Sequence, residues 1–329
     1  MATPISHSEH LDYRIQHQIS KYAEEMIEHT QSCRSLAFLD LGVSPLTSLV
    51  LQVFAVGELT IRGLGLIFSS DPQLGKSMLK RVPKKAFEIP LGFLGSIIKG
   101  PFDLFVHPKF CILWGVETTK VDLEHAERGT IDSEDHQYDL QLAFGRATIR
   151  INEWRNPADL ARQIRGNPTL ISHSERLDYR IQHQIFNYIN EITEQGQRLR
   201  PPAFLALGSS NATFFILRVF AVGELTIRGL RSIYSPDYQL GKVMFKRVSI
   251  QALQATVGLA ASTVLNSCRI IKEPKDYILN NLEQTQIDIQ HAEADTFDSK
   301  NYQSDLQAAR GRATEKLREW QSNLLHHEL

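Results

Sequence analysis

With 329 residues, 42% hydrophobic and 22% charged, the chain has globular rather than disordered composition and is long enough for two ordinary domains. A net charge of −1 lacks the basic excess of a nucleic-acid binder, so no nucleic acid is expected as a partner. The three cysteines, Cys33, Cys111 and Cys268, are odd in number and widely spaced, which excludes a disulfide framework, a CxxC redox pair and a zinc set and points to a reducing, cytoplasmic compartment.

The opening stretch "MATPISHSEHLDYR" has no basic segment followed by an apolar one, so no cleavable secretory signal is expected. From Ser6 a capping box starts the first predicted helix: Ser6 accepts from the backbone of Glu9, and the Glu9 side chain reaches back. Leu11, Ile15, Ile19, Tyr22 and Met26 follow at helical spacing. His17 lies between Gln16 and Gln18 and reads as a polar surface or capping partner rather than a general base.

The second predicted helix runs from Ser44 to Phe68. At 100° per residue, Ser48, Gln52, Glu58 and Arg62 share one narrow stripe on an otherwise apolar rod. Glu58 and Arg62 stand four apart with the acid first, the order that favours an ion pair. Gly57 and Gly63 lower helix propensity, which is consistent with close approach of another backbone. A rod of this kind belongs at the centre of a bundle or partly in a membrane, and the central position is the expectation here.

"SSDPQLGKS", Ser69 to Ser77, superficially matches a phosphate-binding loop. Ser70 stands where that loop needs glycine, and no strand is predicted before it, so a turn followed by an amphipathic helix is expected. This helix carries Lys76, Lys80 and Arg81, candidates for contact with an anionic lipid surface or an acidic partner.

Further on, Asp122 and His125 form an Asp-x-x-His pair. With Glu58, and with the corresponding residues of the second half, the order acid, acid-x-x-His, acid, acid-x-x-His is similar to the ligand order of ferritin-like di-iron bundles. That likeness implies a metal site at Asp122, His125, Asp288 and His291. Asp stands where the motif has Glu, however, and the pairs align with polar neighbours, so no metal or cofactor is expected.

The second half repeats the first. "VFAVGELTIRGL" occurs unchanged at Val53 and at Val219, 166 positions later, and the same offset relates "LDYRIQHQI" at Leu11 and Leu177, "GRAT" at Gly145 and Gly311, and Trp154 and Trp320. No insertion interrupts it. Glu224 and Arg228 therefore repeat the ion pair, Lys242, Lys246 and Arg247 the basic cluster, and Asp288 and His291 the Asp-x-x-His pair. The copies differ most over 87–117 and 253–283. The fold expected is all-α, a tandem duplication of a five- to six-helix module: residues 1–155, a linker with a short helix at 156–170, and 171–329.

No nucleophile elbow or zinc-protease signature occurs, and each cysteine is replaced in the other copy. The function expected is a non-enzymatic interaction or scaffold protein with a protein partner. The alternative is a membrane-associated protein using the apolar helices 41–68 and 250–271 beside the basic clusters; a ferritin-like metal-dependent enzyme ranks third.

Overall fold

A computed structural model of the chain describes residues 5–29, 33–68, 71–131, 133–153, 171–195, 199–233, 238–297 and 299–327; the expected linker at 156–170 lies outside them. The described residues form helices and short turns, with no strand among them. The chain divides into two compact units, Met1–Asn167 and Pro168–Leu329.

The first unit holds α1 (His7–His29), α2 (Cys33–Ile67), α3 (Pro72–Val106), α4 (Pro108–Arg128) and α5 (Glu134–Glu153). Its helices pack in the order α3, α2, α1, α4, α5, with a lesser contact from α4 to α2 and α3. The second unit holds α6 (His173–Glu194), α7 (Arg200–Ile233), α8 (Tyr238–Leu253), a π-helical turn (Gln254–Gly258), α9 (Leu259–Lys272), α10 (Pro274–Ala294) and α11 (Lys300–His327). Here α7 packs on α8, the π turn and α9, α6 packs on α7 and α10, and α10 packs on α11.

The capping box forms at the head of α1 and again at α6. Glu9 N donates to Ser6 Oγ at 3.1 Å while Ser6 N donates to Glu9 Oε2 at 2.9 Å; Ser172 and Glu175 do the same at 3.1 and 3.0 Å. Behind the cap, Leu11, Ile15, Ile19, Tyr22 and Ala23 are buried on α1, as are Leu177, Ile181, Ile185, Phe186 and Ile189 on α6. These helices, rather than the repeated rod, are the centre of each unit. The rod in α2 buries Leu51, Ala55 and Leu59 but leaves Val53, Ile61 and Leu64 exposed, because α1, α3 and α4 cover only part of its circumference. The same holds for Leu217, Ala221 and Leu225 against Val219, Ile227 and Leu230 in α7.

Two glycines let the hairpin of α2 and α3 close. A Cβ on Gly75 would lie 2.6 Å from the Gly63 carbonyl oxygen, and one on Gly63 would lie 2.9 Å from Leu79 Cγ. In the second unit a Cβ on Gly241 would meet Ile233 Cγ1 at 2.9 Å and the Gly229 oxygen at 3.1 Å. Gly57 and Gly223 differ from the expectation: each would have nothing within 4 Å of an added Cβ. Only one glycine of each expected pair meets a neighbour closely.

The third helix is where the units part. Pro83, Pro90 and Pro101 fall within α3, each withholding a backbone donor. Thr256, 166 positions after Pro90, lies inside the π turn, and its hydroxyl donates to the carbonyl of Ala252 at 3.1 Å. Both devices interrupt the regular ladder at corresponding places, one by removing a donor and the other by lengthening a turn.

The glycine geometry fixes the direction of two substitutions. Gly75→Ala should lower stability by about 1–3 kcal/mol, since backbone rather than a flexible side chain occupies the space. Gly57→Ala should raise it by up to about 1 kcal/mol through helix propensity. Urea denaturation followed by circular dichroism checks both, and equal effects at the two positions would contradict the close packing of the hairpin.

Candidate functional site

The polar stripe of α2 is the surface on which α1 docks. Glu58 points at the N-terminus of α1, where His7 N donates to Oε1 at 2.9 Å, Ser8 N to Oε2 at 3.0 Å and Ser8 Oγ to Oε2 at 2.9 Å. A carboxylate there satisfies donors that the first helical turn leaves open and complements the positive end of the helix dipole. Glu224 repeats this with His173 N, Ser174 N and Ser174 Oγ at 3.0, 3.2 and 3.2 Å. The ion pairs are present as well, Arg62–Glu58 at 2.9 Å and Arg228–Glu224 at 3.4 Å, but Arg62 is largely exposed and the amide contacts give the glutamates their place.

One turn along, Asp12 is buried and accepts from Ser48 Oγ at 2.9 Å and Gln52 Nε2 at 2.6 Å. Glu9 meets Arg81 at 2.9 Å and Lys85 at 3.0 Å. Burial pushes the Glu9 carboxyl upward, but Lys85, the Ser6 amide and Arg81 outweigh it and hold the group below its ordinary range. In the second unit, Arg218 reaches Glu175 at 3.4 Å and Asp178 at 3.1 Å, Arg247 reaches Glu175 at 3.1 Å, and Gln251 bonds both Glu175 and Arg218.

Arg81 and Arg247 are therefore not surface contacts, as the sequence suggested. They turn inward because the capping-box glutamates need cations. Lys76, Lys80, Lys242 and Lys246 remain exposed.

The Asp-x-x-His pairs belong to a different construction. His125 is buried, with Nε2 on Asp139 Oδ2 at 2.9 Å and Nδ1 on Thr130 Oγ1 at 2.8 Å. His136 Nε2 meets Asp122 Oδ1 at 2.9 Å. The Asp-x-x-His of α4 thus locks onto a His-x-x-Asp of the antiparallel α5, each histidine facing the other helix's aspartate. In the second unit His291 holds Asp305 at 3.0 Å and Thr296 at 2.7 Å, while Tyr302 OH donates to Asp288 Oδ1 at 2.7 Å. Burial raises the Asp288 carboxyl to about 6 despite the Tyr302 bond.

Among the described residues no group of three or more His, Cys, Asp or Glu is arranged to hold a metal ion. Glu58 and Glu224 instead cap helices, so the acids and histidines of the di-iron order are engaged at separate places. The expected polar face is also a correction: His125 and His291 are buried between α4 and α5 or α10 and α11, because their ring nitrogens find partners there. His17 and His183 likewise contact Thr119 and Thr285, at 3.3 and 3.2 Å. Where the sequence superficially matches a phosphate loop, Ser69 and Ser70 lie outside the described residues, and Asp71 Oδ1 accepts from Leu74 N at 3.0 Å and starts the helix.

The outer faces of the hairpins are the other candidate. On α2, Val53, Gly57, Ile61 and Leu64 share one exposed stripe, with Ile61 at 74% exposure, and Phe68 follows at the end of the hairpin at 85%. Val219, Gly223, Ile227 and Leu230 form the same stripe on α7. In the same unit, Ile250, Leu253, Val257, Val264, Leu265 and Ile271 of α8, the π turn and α9 are exposed as well, with Leu265 at 70% exposure. Three helical stretches, Gly42–Ile67, Arg200–Leu230 and Gly241–Lys272, are long and apolar enough to cross a membrane. Comparison with protein-family models, with curated proteins and with solved structures finds no match, so these surfaces are read from their own chemistry.

The sequence marked the apolar helices 41–68 and 250–271 as a membrane alternative but not which of their faces is exposed, because periodicity marks an apolar face without saying what covers it. Sequence reasoning missed His136 and Asp139, although a His-x-x-Asp following an Asp-x-x-His was a legible signal for antiparallel reciprocity. Asp40 went unnoticed too: burial raises its carboxyl to about 6, with Ser20 as its hydrogen-bond partner, and the residue 166 positions later is Ala206.

A raised carboxyl pKa stabilises the folded state fully below the unfolded value near 4, and that contribution is lost as pH rises through about 6. Asp40→Asn should therefore stabilise the protein at pH 8, on the order of 3 kcal/mol, and change little at pH 4. Urea midpoints at the two pH values measure this, and a loss of stability at pH 8 would show that the ionised carboxylate is favourably held.

Proposed function

We propose that the chain is one helical module written twice, a non-enzymatic protein that seats on the cytoplasmic face of a lipid membrane through the outer faces of α2–α3 and α7–α9. The carrying observation is the identity of the exposed stripe. Val53, Phe54, Gly57, Ile61 and Leu64 recur as Val219, Phe220, Gly223, Ile227 and Leu230, although Gly57 and Gly223 would admit a side chain and most of the rest face outward. Internal packing does not demand sameness at such positions, whereas a common external phase does. Contiguous apolar surface of this length marks an interaction face in a protein otherwise polar enough for water.

The polar groups support the non-enzymatic part. The buried carboxylates and histidines of both units bond to helix termini, cations and hydroxyls of their own unit, so their chemistry is spent on holding helices together.

A second reading, a protein partner, is favoured by one feature of the first unit. Phe110, Trp114 and Phe144 cluster with ring centroids 5.4–6.4 Å apart, and Trp114 and Phe144 are exposed. The corresponding residues are Asp276, Asn280 and Arg310, so this patch serves one unit only.

Detergent-free protein should float with lipid vesicles in a density gradient and leave the soluble fraction. Protein that stays monodisperse at the bottom of the gradient with every vesicle composition would contradict the membrane reading and favour the protein partner.

A further inference from the structure

We infer that each hairpin lies monotopically in one anionic leaflet, its outer face in the headgroup and acyl boundary and its inner face still docked on α1 or α6. The inference rests on the membrane reading and decides between lying in a bilayer and crossing it, which helix length leaves open: 26 residues of α2 would extend about 39 Å against a hydrocarbon core of about 30 Å.

The docking seam makes the decision. A spanning α2 would carry residues 42–67 through hydrocarbon, yet over that length it is bonded to α1: Ser44 to Gln16, Ser48 and Gln52 to Asp12, and Glu58 to His7 and Ser8. α1 itself bears Arg14, His17 and Lys21 and cannot follow α2 into lipid. Crossing would break the seam and strand Glu58; lying flat keeps every bond and wets only the polar side. The second unit repeats the restraint, with Arg218 in the middle of α7 bonded to Glu175 and Asp178 of α6. An amphipathic element with one apolar face and basic residues beside it is the form that binds in the interface plane.

Charge identifies the leaflet. The chain as a whole is near neutral, but α3 carries six Lys and Arg against two acids, and residues 238–272 carry five against none. Two of the six turn inward to Glu9 and one of the five to Glu175, while Arg269 pairs with Asp276 at the surface. Lys76, Lys80 and Lys84 share the exposed face of α3 with Phe87, and Lys242 and Lys246 precede Ile250 and Leu253 on that of α8. Apolar residues interleaved with lysines fit acyl chains beneath anionic headgroups.

The test uses the full chain with Cys33, Cys111 and Cys268 replaced by serine and one new cysteine, at Ile61, Val257 or the exposed Lys21, labelled with a fluorophore. Vesicles contain phosphatidylcholine with 30% phosphatidylserine, an amount on the order of that in anionic leaflets, and nitroxide placed near the headgroup or deep in the acyl chain. Labels at positions 61 and 257 should be quenched more by the shallow nitroxide, and the label at position 21 by neither. In the cysteine-intact protein, Lys76→Gln, Lys80→Gln, Lys242→Gln and Lys246→Gln together should weaken vesicle binding about a thousandfold without altering helicity. Stronger quenching by the deep nitroxide, or binding indifferent to the four lysines, would overturn the inference while leaving membrane association standing. Absence of binding to any vesicle would remove both.

Discussion

Each unit depends on a carboxylate placed against the first turn of its central helix. Glu58 and Glu224 reach from α2 and α7 to backbone amides 50 and 51 positions earlier in the chain. Helix ends are the weakest part of a helix because their amides lack partners, and here the remedy comes from a neighbouring element rather than from the local sequence alone. The capping-box glutamates Glu9 and Glu175 lie in the same first turn, so two carboxylates share each buried end and cations must follow. That need draws Arg81, Lys85, Arg218 and Arg247 inward, fixes the rotation of α2 and α7 about their axes, and thereby determines which apolar residues face out.

The two units meet the charge requirement by different residues in the same places. Gln52 and Lys85 in the first correspond to Arg218 and Gln251 in the second, so the amide and the cation have exchanged helices. Glu9 pairs with Arg81 and Lys85 while Asp12 beside it accepts from Gln52; Glu175 and Asp178 pair with Arg218 and Arg247. Two acids meet two bases either way. A buried carboxylate without a cation is costly, and removing one partner of such a set destabilises by about 3–5 kcal/mol, so the exchange is accepted only as a pair. Elsewhere the units relax polarity instead: Ser20 and Asp40 correspond to Phe186 and Ala206, a hydroxyl and an acid giving way to a ring and a methyl.

Much of this was legible in the sequence. Helical periodicity from Leu11 to Tyr22 marked the core face of α1, and Ser6 with Glu9 marked its start, because both signals are local. Glu58 was visible as an anomaly on an apolar rod, but its function was not, since an i,i+4 arginine offered a nearer explanation than an amide some fifty residues away. Arg81 looked like one more base in a run with Lys80; only the fold distinguishes the inward from the outward residue. The rod appeared central because it is apolar nearly all round, a property shared by a fully packed helix and by one whose outer face awaits lipid.

The exchange across the seam supplies the most direct measurement, a double-mutant cycle in the first unit with Gln52→Arg, Lys85→Gln and both together. Charge neutrality at Glu9 and Asp12 requires each single change to destabilise and the pair to recover most of the loss, a coupling of about 1–3 kcal/mol by urea denaturation. Additive losses, with no recovery in the double variant, would mean that the buried acids do not govern how α2 and α3 sit against α1.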